Sequence, residues 1–299
     1  MSDNSKKPQE DTQKNPCSGC DKSSNCSDAE KKNCDQQQRE EQMQFVLAKI
    51  KHKILVMSGK GGVGKSTTAV NLALSLAQQG AKVGLLDIDL HGPSVPTMLG
   101  LEMQRPEVED DLMLPIAAHG LKVMSIGFLI KDQDDALIWR GPMKTGVIQQ
   151  FLRDVNWGEL DYLVVDCPPG TGDEPLSIVQ LLGEGSGAVL VTTPQKVALV
   201  DVRKSVTFCR QLKLPIYGLV ENMSGFVCPN CNEKVDIFKK GGGREMAGEM
   251  NIPFLGQVPM DPRVVEAGDE GTPVVLTYPD SPTTKAFTEI AAELALRCK

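Results

Sequence analysis

Eight consecutive residues constrain this chain more than any other feature. Gly59-Lys60-Gly61-Gly62-Val63-Gly64-Lys65-Ser66 is a complete GxxxxGK-Ser/Thr phosphate-binding loop. The apolar run Lys53–Met57 precedes it and reads as a buried strand. The stretch Ser66–Ala77 follows with helical apolar spacing and ends near Gly80, a plausible cap. The glycines let backbone N–H groups wrap a phosphate chain, and the helix N-terminus adds its dipole. In such a loop Lys65 contacts the β- and γ-phosphates and Ser66 ligates Mg²⁺, so ATP and Mg²⁺ are the expected cofactors. Gly59, Gly61, Gly62, Val63, Gly64, Lys65, Ser66 and Thr67 form the expected phosphate-binding set.

The rest of the chain carries the matching architecture. Apolar runs recur at Lys82–Leu86, Leu121–Ile126, Tyr162–Val165, Ala188–Val191 and Ile216–Val220. Helical stretches separate several of them, notably Met143–Val155, Val197–Leu212 and Thr283–Leu296. Strands alternating with helices predict an α/β fold with a doubly wound, mainly parallel sheet. Two strand ends then bring acids to the phosphate site. Asp166 closes the run Tyr162–Val165, where a Walker B carboxylate reaches the metal. Asp89 follows the second strand and is placed to orient the attacking water, with Asp87 a neighbour for the magnesium shell.

Composition limits the partners. The formal net charge is -7 and aromatic residues make up 4% of the 299 residues, which argues against nucleic acid or an anionic membrane as partner. The N-terminal segment has no apolar core of a signal sequence and no arginine before Arg39, so a cytoplasmic location is expected. Thiols stay reduced there, and the nine cysteines read as metal or redox ligands rather than disulfides. Residues 1–42, Met1 aside, contain no Leu, Ile, Val, Met or aromatic side chain, yet hold Cys17, Cys20, Cys26 and Cys34. Such a segment is expected to be a metal-binding tail, otherwise disordered, ahead of an ATPase domain at 43–299. Residues 43–52 read as a short linking helix.

Lys60 opens a resemblance. The loop is similar to the deviant Walker A of the MinD, ParA and nitrogenase iron protein group, whose first lysine reaches the partner subunit's nucleotide. That implies a homodimer in which Lys60 acts in trans. Further stretches, 87–94, 139–143, 166–174, 221–231 and 258–264, resemble one branch, the Mrp/ApbC iron–sulfur scaffold ATPases, across roughly residues 50–296. The resemblance implies that Asn222 contacts the adenine, that the 258–264 loop with Pro259 and Asp261 closes around the base, and that Gly170–Asp173 senses the γ-phosphate.

Cys228-Pro229-Asn230-Cys231 carries the distinguishing chemistry. Two thiolates at this spacing grip one corner of a metal centre, whereas a Cys₄ cluster needs four. A symmetric dimer supplies the missing half. In the family this pair binds a bridging [4Fe–4S] cluster destined for apo iron–sulfur client proteins; on residue chemistry alone zinc is the alternative. The tail spacing Cys17-x₂-Cys20-x₅-Cys26-x₇-Cys34 matches, in its first three members, a ferredoxin-like tail on eukaryotic cytosolic relatives. Their additional upstream cysteine falls at Asp3 here, which leaves Cys34 as the candidate fourth ligand of a second iron–sulfur cluster or a zinc ion. Cys167, Cys209 and Cys298 read as packing residues. The chain is therefore expected to be a slow ATPase and cluster carrier. A positioning switch of the MinD/ParA kind and an ATP-dependent cluster-containing reductase are the competing readings.

Overall fold

The computed structural model describes residues 28–89, 92–129, 141–228, 231 and 233–298. The chain enters through α1 (Asp28–Leu47), turns into β1 (Ile50–Ser58) and passes through the glycine-rich loop into α2 (Lys65–Gln78). Next come β2 (Val83–Asp87), α3 (Val95–Met98), a small hairpin of β3 (Val108–Glu109) and β4 (Leu112–Met113), then β5 (Ile116–Ala118) and β6 (Leu121–Ser125). α4 (Gly141–Arg153) leads to β7 (Leu160–Asp166), α5 (Asp173–Leu182), β8 (Ser186–Thr192), α6 (Lys196–Gln211) and β9 (Ile216–Glu221). A second hairpin, β10 (Phe226–Val227) and β11 (Lys234–Val235), precedes α7 (Gly242–Glu249) and β12 (Phe254–Gln257). The last helices are α8 (Pro262–Asp269), α9 (Val274–Thr277) and α10 (Pro282–Arg297).

Eight strands form one sheet in the order β12-β9-β8-β1-β7-β2-β6-β5, parallel except for β5 against β6. Strand order reverses at β1: β2 lies to one side and β8, β9 and β12 to the other. The loop after β1 therefore opens at a topological switch point, where α/β sheets bind ligands.

Side-chain alternation along the central strands feeds two cores. Ile54, Val56, Val164, Val189 and Val191 face one cluster with residues of α2 and α10. Leu55, Met57, Leu163, Val165 and Leu190 face the other with residues of α1, α4 and α6. Burial on both faces is why these strands read as continuous apolar runs rather than alternating ones. Each fully buried Leu or Val contributes about 1.5–3 kcal/mol over an exposed one, and this holds the sheet edge that carries the site.

The N-terminal region differs from the sequence expectation. The helix expected at 43–52 instead runs from Asp28 to Leu47, and β1 starts at Ile50. Residues 28–42, expected to be disordered without metal, are thus helical. Met43 and Leu47 insert into the second core and anchor the helix from its C-terminal end, a tertiary support that composition does not reveal. Cys34 lies on this helix; Cys17, Cys20 and Cys26 lie outside the described residues.

Candidate nucleotide site and cysteine hairpin

β1, β7 and β2 end together, so their terminal polar residues meet. Asp166 pairs in register with Val56 on one side and with Asp87 on the other. Lys65, the first residue of α2, reaches back to this edge. Its ammonium donates to Asp166 Oδ1 at 2.6 Å and lies 3.2 Å from Asp89 Oδ2. Lys65, Asp89 and Asp166, separated in sequence, form one buried ion cluster. Burial works to lower the Lys65 pKa, but the carboxylates of Asp166 and then Asp89 outweigh it and hold it above the usual value. Burial pushes Asp166 up, with the Lys65 charge offsetting part of the rise.

Asp87, also fully buried, is pushed up to about 8 by burial and the neighbouring Asp166 carboxyl. It accepts the Asp89 N–H at 3.1 Å and the Ser125 hydroxyl at 2.9 Å. Asp166 Oδ2 is buried with no hydrogen-bond partner among the described residues. An orphaned carboxylate oxygen together with the Ser66 hydroxyl provides the hard oxygen donors that Mg²⁺ takes, so these residues fit the ion.

The loop itself is shaped by close approach. Gly62 and Gly64 have φ of 77° and 79°, which glycine adopts without strain. A Cβ on Gly64 would stand 2.1 Å from Asn222 Nδ2. That amide donates to the Val63 carbonyl at 3.0 Å, so Asn222, expected at the adenine, also braces the phosphate loop. Lys60 is half-buried and makes no ion pair among the described residues. Gly170 donates its N–H to the Ser58 carbonyl at 2.8 Å, tying the 170–173 segment to the end of β1.

A cavity of about 1060 Å³ continues from the loop. Thr67, Asn222, Pro259, Met260, Asp261 and Phe238 are among its lining residues, which brings together the sequence-expected base contacts. The Asp261 carboxylate accepts from Arg263 Nε at 2.9 Å, Nη2 at 2.8 Å and the Thr283 hydroxyl at 3.0 Å, and caps α8. These partners, chiefly Arg263 working against burial, hold its pKa below the usual carboxylate value. Its side chain therefore shapes the cavity wall.

The cysteine pair lies in the turn between β10 and β11. Phe226 pairs with Val235 and Val227 with Lys234, and the Cys228 N–H donates to the Glu233 carbonyl at 2.9 Å. Cys228 is half-buried and Cys231 exposed. The hairpin joins the cavity wall through a bridge from Phe226 to Met260 and a 2.8 Å bond from the Met260 N–H to the Gly225 carbonyl. By contrast Cys167, Cys209 and Cys298 are buried packing residues, and burial raises all three thiols.

Sequence reasoning passed over Glu221. It is fully buried at the end of β9 and accepts hydrogen bonds from both flanks of the hairpin. Its signal was available: like Asp87 and Asp166, it is an acid that closes an apolar run.

Residues 49–295 match the family described as "ParA: NUBPL iron-transfer P-loop NTPase". An iron-sulfur cluster carrier protein of Methanocaldococcus jannaschii is 48% identical over 279 residues, 93% of this chain and 94% of that one. A cytosolic Fe-S cluster assembly factor Nubp2 homolog of Anopheles gambiae is 54% identical over 254 residues, 83% of this chain and 98% of that one. Among solved structures, a nucleotide-binding protein from Archaeoglobus fulgidus in complex with ADP is 42% identical with a TM-score of 0.71, covering 82% of this chain and 94% of its own. The cell-division ATPase MinD of Pyrococcus furiosus is 27% identical with a TM-score of 0.63, covering 82% and 99%. Matched across most of its length by the family and by these relatives, the chain belongs to the NUBPL-type iron-transfer P-loop NTPases of the ParA group.

Proposed function

We propose that this chain is an ATP-binding and ATP-hydrolysing carrier that holds a [4Fe–4S] cluster between two copies of itself and passes it to apo iron–sulfur proteins in the cytoplasm. One observation carries the reading. Cys228 and Cys231 occupy a hairpin that leaves β9 at the same sheet edge as the phosphate loop, and two thiolates are half of a Cys₄ set. A two-fold axis supplies the other half. Exposed apolar side chains support a dimer on this edge: Val197 and Val200 at the start of α6, and Val227, Val235 and Ile237 on and beside the hairpin. Relatives named as cluster carriers and assembly factors support the cargo.

In this mechanism the backbone N–H groups of the loop and the Lys65 ammonium bind and orient the phosphates. Lys60, contributed across the dimer, brings positive charge to the transferring phosphoryl group. Asp89 orients the attacking water. Ser66 and Asp166 hold Mg²⁺, which when bound neutralises charge on the phosphate oxygens. Asn222, Pro259 and the loop that Asp261 stiffens enclose the base. The 170–173 segment senses the γ-phosphate, and nucleotide state biases the dimer between arrangements that expose the cluster differently. Cys17, Cys20, Cys26 and Cys34 hold a second iron–sulfur cluster, with zinc the alternative occupant.

The test is iron, sulfide and zinc per chain after anaerobic reconstitution. The Cys228→Ala/Cys231→Ala variant is expected to lose about two irons per chain, half a shared cluster, relative to wild type. Zinc alone in both proteins, with no reconstitution of iron and sulfide, would sink the reading.

A further inference from the structure

The chain leaves the sheet after β9 and enters α7 at Gly242, and the segments on either side of the cysteine hairpin close on one side chain. Glu221 Oε1 accepts the Ser224 hydroxyl at 2.5 Å, the Gly241 N–H at 2.9 Å and the Gln257 amide at 2.9 Å. Glu221 Oε2 accepts the Gly243 N–H. Ser224 precedes the hairpin, Gly241 and Gly243 follow it, and Gln257 belongs to the adjacent strand β12. All four donors are uncharged. A buried carboxylate is costly unless its oxygens are satisfied, so a strand end that only packed would be better served by an apolar side chain. The Glu221 oxygens are satisfied by the two segments that flank the cysteine hairpin and by the neighbouring strand.

We propose that Glu221 is the positioning residue of the cysteine pair: its carboxylate clamps both ends of the 225–240 excursion and so sets where Cys228 and Cys231 stand above the sheet. The inference rests on the cluster-carrier reading of that pair. The clamp has little slack. A Cβ on Gly243 would meet Glu221 Oε2 at 2.9 Å and the Glu221 Cβ at 3.2 Å, so glycine is what admits the contact. Glu221→Gln preserves shape while converting one acceptor oxygen to a donor. If the amide oxygen keeps the three donors of Oε1, the NH₂ group faces the Gly243 N–H. If it flips, the NH₂ group faces the other three. Either orientation sets donor against donor at the base of the hairpin.

The experiment uses the full chain. Amide hydrogen exchange across residues 225–243 is expected to accelerate about tenfold in Glu221→Gln, the effect of leaving one buried partner unsatisfied, while β1, β7 and β8 keep their protection. After anaerobic reconstitution, the variant's cluster absorbance is expected to decay to a ferrous chelator about tenfold faster than wild type, the same loss read at the cargo. Unchanged exchange together with wild-type cluster retention overturns the proposal. If wild type itself takes up no cluster, the carrier reading fails, while the exchange arm still decides whether Glu221 clamps the hairpin. Should Glu221→Gln fail to fold, Ser224→Ala removes one donor and leaves the carboxylate. A several-fold rise in exchange and faster cluster loss then support the clamp, and no change in either counts against it.

Discussion

Asp87 and Asp166 end neighbouring strands in register, which sets two carboxyl groups side by side with no solvent exposure. Burial, then the Asp166 carboxyl, push Asp87 up from 3.8 to about 8, so it holds a proton at neutral pH. The sign of the consequence follows from proton counting. Between these two values the folded chain binds more protons than the unfolded chain, so stability falls as pH rises. The contribution is complete below 3.8 and lost by the time pH has passed about 8. Asp87→Asn should flatten that slope, and urea unfolding at pH 5 and pH 8 checks it: wild type loses stability across the interval relative to the variant. At this scale the meeting of Lys65 with Asp89 and Asp166 was legible, because the loop's fixed spacing picks out Lys65 and the ends of apolar runs pick out the two acids. Glu221 was visible only as one more acid ending an apolar run; its role was not, because the last of its four donors lies 36 residues downstream and only folding gathers them.

The elements divide the same way. Long strands and helices with buried faces were legible, since a run such as Ala188–Val191 can satisfy both faces only inside a sheet. The hairpins β3–β4 and β10–β11, the edge strands β5 and β12, and the short helices α3, α8 and α9 were not anticipated. They are two to eight residues long and are set by tertiary contacts rather than periodicity. α10 shows how an element can decide between functions. Its Phe287, Ile290, Ala291 and Leu294 are buried against the body of the domain, so the apolar face a membrane anchor would use is already committed to the core. Its start is fixed by the Ser281 hydroxyl, which accepts the Thr284 N–H at 3.1 Å and lies 3.0 Å from the Thr284 hydroxyl. Ser281→Ala should cost about 1 kcal/mol, read as a lower urea midpoint with an unchanged denaturant slope.

For the whole molecule, the decisive arrangement is that the phosphate loop, the cysteine hairpin and the exposed apolar residues of α6 all leave one edge of the sheet. Val200 is exposed on α6 next to Asp201, whose carbonyl carbon would stand 2.3 Å from a Cβ on Gly59. The α6 backbone is therefore pressed against the start of the phosphate loop. Val200→Asp should leave the monomer's unfolding transition in place and suppress ATP-dependent dimerisation, seen as a lost dimer peak in size-exclusion chromatography with light scattering. A dimer that persists would move the interface to another face. The parallel sheet, and the loop and acids gathered at one of its edges, could be expected from sequence. The clamp joining hairpin to sheet could not, since it depends on how strands β9 and β12 lie together.

Because the segments on either side of the cysteine hairpin meet at a single carboxylate, β9 and the start of α7 are already joined without it. Ends held together in this way can be joined by a short turn at small entropic cost. The excursion is nevertheless no free appendage, since Phe226 bridges to Met260 and Phe238 lines the cavity beside the phosphate loop. The cysteine pair and the cavity therefore share one wall, and a change in that wall's position is transmitted to both.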